Sequence, residues 1–92
     1  MEIIGKLTKD GVKSITVKST GETMNVGQYH IEGIGERADA VAFEVLDGDK
    51  GRLAQFDQYA NKVCSVSLSL SVRLYNSRYY TEIRGWAVKS IT

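Results

Sequence analysis

Residues 52–60 read Arg52-Leu53-Ala54-Gln55-Phe56-Asp57-Gln58-Tyr59-Ala60, a pattern unlike the rest of the chain. Leu53, Phe56, Tyr59 and Ala60 fall at the three- and four-residue spacing of one helical face. Asn61 is a suitable stop for a short helix there. Everything on either side reads as strand. Before it, Ile3, Ile4 and Leu7 open a first strand that Asp10-Gly11 breaks or bulges and Val12, Ile15 and Val17 continue. Thr20-Gly21-Glu22 reads as a turn, residues 24–32 as a second strand, and Val41, Phe43 and Val45 alternate in a third. After the helix, residues 66–74 alternate strictly, which predicts Val66, Leu68, Leu70, Val72 and Leu74 inward. Ser67, Ser69, Ser71 and Arg73 then face the other way. Asn76-Ser77 is a turn signal, and residues 78–89 return as a strand, making a long C-terminal hairpin.

Three strands, a short helix and two strands is the order of the OB-fold, a five-stranded Greek-key barrel. The expected architecture is therefore mainly β, with the helix between strands three and four. Leu53, Phe56 and Tyr59 are expected to cap the barrel over Phe43, Val45, Leu68 and Leu70. Length agrees, since 92 residues suit a single domain, 1–92. The 42% hydrophobic and 25% charged composition is that of a globular chain, and the absence of Pro excludes polyproline motifs. No apolar run approaches the roughly 20 residues that cross a bilayer. Nor does the N-terminus show a basic stretch followed by an apolar one, so a cytoplasmic protein with no membrane partner is expected. One Cys and one His make neither an internal disulfide nor an ordinary metal site, and no cofactor is expected. Twelve basic against 11 acidic residues give net charge +1, so any phosphate binding rests on local clustering.

One cluster qualifies. Arg73, Tyr75, Arg78, Tyr79, Tyr80, Arg84 and Trp86 lie in one short stretch with Glu82 as its acid. Bases stack on aromatic faces and Arg pairs with phosphate, each stacked base being worth about 1–3 kcal/mol. Alternation puts Tyr80, Glu82, Arg84, Trp86 and Val88 on one face, and Tyr79, Thr81, Ile83, Gly85 and Ala87 on the other. Both faces carry aromatics, so at least one set is core. Trp86 with one Tyr plugs the barrel, or Trp86 joins the ligand face. Arg73, Tyr75 and Arg78 at the hairpin tip fall in the loop between strands four and five, which binds ligands in this fold.

The run Arg73-Leu74-Tyr75-Asn76-Ser77-Arg78-Tyr79-Tyr80-Thr81-Glu82-Ile83-Arg84-Gly85-Trp86 resembles a family of small bacterial OB-fold proteins. Their uncharacterised domain is described as single-stranded-DNA-binding-like. Members end in an aromatic-Tyr-Thr-acidic-aliphatic-Arg-small-Trp strand. The likeness extends to Ile3-Ile4-Gly5-Lys6-Leu7, Gln28-Tyr29-His30-Ile31-Glu32 and Val41-Ala42-Phe43-Glu44-Val45. Two departures stand out. Members often carry Lys before the aromatic of strand two, where this chain has Asn25, Gly27 and Gln28, and Gly85 replaces a more usual Ala. The resemblance implies a barrel that binds single-stranded nucleic acid, with Arg73, Tyr75, Arg78, Tyr80, Arg84 and Trp86 as contacts.

Other motifs read more plainly. Gly33-Ile34-Gly35-Glu36-Arg37-Ala38 has the form of a dinucleotide fingerprint, but a strand follows where that motif needs a helix. Cys64 and His30 lie on different strands with no third group to orient the His, so no catalytic pair is expected. Cys64 reads as a small hydrophobe. Asp47-Gly48-Asp49 lacks the register of a calcium loop, and with Asp39 and Glu44 reads as a solvated acidic face. Ser65, Ser67, Ser69 and Ser71 read as barrel exterior, or as a flat surface for another chain. Two functions follow. The first is a non-enzymatic module for single-stranded DNA or RNA. The alternative is an assembly barrel, either a homo-oligomer or an accessory subunit to a replication protein.

Overall fold

The alternating segments become five strands: β1 Glu2–Thr16, β2 Thr23–Gly33, β3 Ala40–Leu46, β4 Val63–Tyr75 and β5 Arg78–Ser90. A short helix, α1 Arg52–Asp57, lies between β3 and β4. The computed structural model describes residues 1–33, 39–47 and 51–91. The fingerprint-like run after Gly33 and the Gly48–Lys50 part of the acidic loop lie outside them.

The sheet closes in a ring in the order β1-β2-β3-β5-β4, with β4 returning to β1. Neighbours are antiparallel except β3 and β5, which run parallel and meet at Glu44↔Arg84. Inside the ring, Leu7, Tyr29, Ile31, Phe43, Val45, Cys64, Val66 and Leu68 pack with Leu53 and Phe56 of α1. Three rings form the centre: Tyr29 and Phe43 lie 5.9 Å apart, Tyr29 and Phe56 5.6 Å, and Phe43 and Phe56 6.1 Å. Those separations suit offset and tilted aromatic pairs.

The helix is shorter than its spacing predicts. After Asp57 the chain tightens, with the Tyr59 amide donating to Phe56 (3.0 Å) and the Ala60 amide to Asp57 (3.3 Å). Asn61 then turns left-handed at φ 66°, which ends the helical run as its side chain suggests. At the other end the N-cap is Gly51, which has no side chain to cap with. The Asp47 carboxylate accepts from the Leu53 amide instead (3.3 Å).

Two bulges shape the ring. Lys9 pairs Tyr29 and Gly11 pairs Gln28, leaving Asp10 as the extra residue, as the Asp10-Gly11 signal suggested. The second separates Ser67↔Ala87 from Leu68↔Gly85, leaving Trp86 unpaired. It corrects the face assignment at the end of β5. Val88 pairs with Val66 and packs on the core, whereas Trp86 is 54% exposed. Trp86 is therefore not the plug, and Tyr29 is the buried tyrosine. Gly85 holds the inward position. A Cβ there would meet Phe43 at 2.7 Å and Phe56 at 3.1 Å, so a glycine at this position makes room for two rings.

A second correction concerns β4. Val66 and Leu68 are buried as expected, but Leu70, Val72 and Leu74 are 55%, 62% and 65% exposed. They keep the core-facing side of the strand and lose the core. β1 pairs with β4 from Val63 to Ser67, and β3 meets β5 at Arg84. Met1 exchanges two more hydrogen bonds with Leu68, and beyond Leu68 and Arg84 the described strands β4 and β5 pair with each other, ending in an Asn76-Ser77 turn with both residues at positive φ (49° and 63°). Leu70 is consequently not under α1. The hairpin projects as an arm, and the radius of gyration is 14.1 Å where a rounded chain of this length would show about 12 Å.

Candidate functional site

The arm has two unlike faces because strand side chains alternate. Cross-strand pairs Ser71↔Glu82, Arg73↔Tyr80 and Tyr75↔Arg78 form one face; Leu70↔Ile83, Val72↔Thr81 and Leu74↔Tyr79 form the other. The polar face brings together Arg73, Tyr75, Arg78 and Tyr80. The Tyr75 and Tyr80 rings are 6.5 Å apart and inclined at 57°, and both are exposed. A hollow of about 690 Å³ lies here, lined by Arg73, Leu74, Tyr75, Tyr80, Thr81 and Glu82.

Glu82 sits among the cations. Its carboxylate lies 3.7 Å from Arg73 Nε and 3.3 Å from Arg84 Nη2. Arg84 is half-buried at the root of the arm, and its Nε is buried without a hydrogen-bond partner. Arg84 thus belongs to the junction of arm and ring more than to the tip. Trp86 stands beyond it, at the bulge. The six sequence candidates therefore divide into four that share the distal polar face and two nearer the ring. Charge counting alone misses how Glu82 divides its carboxylate between two of the arginines.

Elsewhere the outer surface of β2–β3 carries Gln28, His30 and Glu32 opposite Glu44, Ala42 and Ala40. Those six positions include no Phe, Tyr, Trp, Lys or Arg, and Gly27 lies on the inner side of β2, where a Cβ would meet Tyr29 and Leu53. Glu44 is paired with Lys13 (2.6 Å). A cleft of about 490 Å³ opens between Gln28, Ala42 and Glu44 on this wall and Thr81 to Ile83 at the root of the arm.

His30 and Cys64 sit on opposite sides of the wall. Tyr29 and Ile31 point into the core, so His30 between them points out, and Cys64 is fully buried within. Burial pushes the Cys64 thiol pKa up. The His30 ring lies between two acids, with Nδ1 donating to Asp10 (2.9 Å) and Nε2 3.7 Å from Glu32. The Asp10 hydrogen bond is the main cause that raises the His30 pKa above its ordinary 6.5. A native pKa above the unfolded one means that protonated His30 stabilises the fold. That contribution is complete below about pH 6.5 and is lost as pH rises through the higher native value. Wild-type melting temperature should therefore fall relative to His30→Gln as pH climbs through that window; parallel melting curves would remove the linkage.

Inside, the Tyr29 hydroxyl donates to Asp57 Oδ1 (2.8 Å), which also receives Lys9 Nζ (2.9 Å). Burial, then the Asp57 bond, drives the Tyr29 phenol pKa far up, so it stays a donor. Burial pushes the Asp57 carboxyl up, but Lys9 and Tyr29 outweigh it and hold the pKa below its ordinary value. The network ties α1 to β1 and β2. The Ser row also splits. Ser65 is buried, its hydroxyl donating to Glu2, while Ser69 and Ser71 are exposed on the arm.

Among the described residues no group of three or more His, Cys, Asp or Glu is placed to hold a metal ion. No helix there is long and apolar enough to cross a membrane.

No family model, curated protein or solved structure matches the chain.

Proposed function

We propose that the chain is an OB-fold module that binds single-stranded nucleic acid along the polar face of the arm. Support for the fold is the ring order β1-β2-β3-β5-β4 with α1 between β3 and β4. The observation that carries the function is the uncovered pairing of Arg73 with Tyr80 and Tyr75 with Arg78. Two exposed rings offer stacking surfaces, and each has a guanidinium directly across from it that offers a phosphate contact. Arg84 and Trp86 would extend the track toward the ring. The family resemblance adds a bacterial source to the proposal, while the composition and the separation of His30 from Cys64 favour a cytoplasmic, non-enzymatic protein.

Binding is expected to be modest, because the polar face of the arm carries few cations and one of them, Arg73, already lies against Glu82. Each phosphate neutralised contributes about −0.7 to the slope of log affinity against log salt for a single strand. Titration with oligothymidine, read by Trp and Tyr fluorescence, should therefore give a shallow slope of roughly −1.4 to −2.1 for two or three contacts. The double variant Arg73→Ala/Arg78→Ala should flatten it by about 1.4. Tyr75→Ala should lower affinity by about 1–3 kcal/mol at every salt concentration and leave the slope unchanged. Failure of the wild type to bind at low salt would sink the proposal.

A further inference from the structure

We propose that the opposite face of the arm is a self-association surface, on which two copies of this chain stack arm against arm. Leu70, Val72, Leu74 and Tyr79 are 55%, 62%, 65% and 76% exposed. With Thr81 and Ile83 they form a continuous three-pair ladder. Its strict alternation is that of a buried strand, yet among the described residues only Ile83 at its root packs against the core. A two-stranded ribbon is marginal in water unless an apolar face is covered.

Charge selects the occupant. A two-fold contact sets each patch against a copy of itself, so a charge close to the axis would meet its like. The six side chains of this face carry none. The polar face, with Arg73 and Arg78, would repel itself. Area sets the strength. The exposed side chains amount to a patch on the order of 500 Å², near the largest a monomer ordinarily leaves in water. Two patches bury roughly 1,000 Å², the lower bound for a specific interface. The stacked arms form a four-stranded sandwich about 10 Å thick. Both Tyr75–Arg78 faces then look outward, on opposite sides of it.

Sedimentation velocity across a concentration series tests this without nucleic acid. Wild-type protein should pass reversibly from monomer to dimer. Leu74→Arg and Val72→Lys each place a charge against its copy and should weaken the dimer more than about tenfold. Both sites are already exposed, so far-UV spectra and melting temperature should hold. Ser71→Arg, on the other face of the same strand, should leave the dimer intact. A wild type that stays monomeric at the highest concentration overturns the proposal, as it would if a different protein covered the face. So does a dimer that survives Leu74→Arg, or one that Ser71→Arg destroys equally.

Discussion

Phe56→Ala is expected to cost about 3–5 kcal/mol, because it empties the centre of the core and the site cannot collapse. Phe56 is fully buried and is the only part of α1 that meets both Tyr29 and Phe43 ring to ring. Its ring also fills the space that Gly85 leaves by having no side chain. Losing it therefore opens a void bounded by two other rings and a strand, all held by sheet hydrogen bonds that resist closing. For a domain whose whole stability is about 5–15 kcal/mol, the thermal midpoint should fall by on the order of 20 °C. An unchanged midpoint would mean that the helix does not plug the ring.

Gly5→Ala should be comparably severe, for the opposite reason. Gly5 is paired on both sides at once, with Gly33 of β2 and Cys64 of β4. A Cβ there would run into the Glu32 carbonyl group and come within 3.0 Å of Gly33 Cα. Every obstructing atom is backbone, so no rotamer change relieves the clash and β1 must part from β2. Overpacking ordinarily costs about 1–3 kcal/mol, and a clash with a paired strand belongs at the top of that range or above. Gly11→Ala is the control. Its Cβ would find Gln28 Oε1 at 3.5 Å, an ordinary contact. Equal melting temperatures for the two variants would show that β1 has slack at Gly5.

The arm shows where reading the sequence stops. Alternation through Val66–Leu74 identifies a strand and its two faces correctly, because side-chain direction is a local property of extended backbone. Burial is not local. Whether Leu70, Val72 and Leu74 are covered depends on how far β1 and β3 run beside β4 and β5, and both stop short. The end of β5 fails differently. A single unpaired residue shifts everything beyond it to the other face, and the bulge arises from pairing between β4 and β5, which neither strand announces alone. Tyr29 as the buried tyrosine was partly legible, lying between the outward His30 and Gln28, but its partner Asp57 is far away in sequence.

What the chain determined by itself was the set of elements: five alternating segments, one helical segment at 52–60, a bulge at Asp10-Gly11, and turns at Thr20-Gly21-Glu22 and Asn76-Ser77. These rest on backbone preferences and periodicity within a few residues. The tertiary structure alone decided which ends of those elements the ring covers, and so which side chains are core and which are surface. Closure joins β1 to β4 and β3 to β5, contacts between segments distant in sequence whose length is set by strand pairing. That is why an apolar row written for burial stands in water on the arm, and why the Arg and Tyr pairs opposite it are left uncovered.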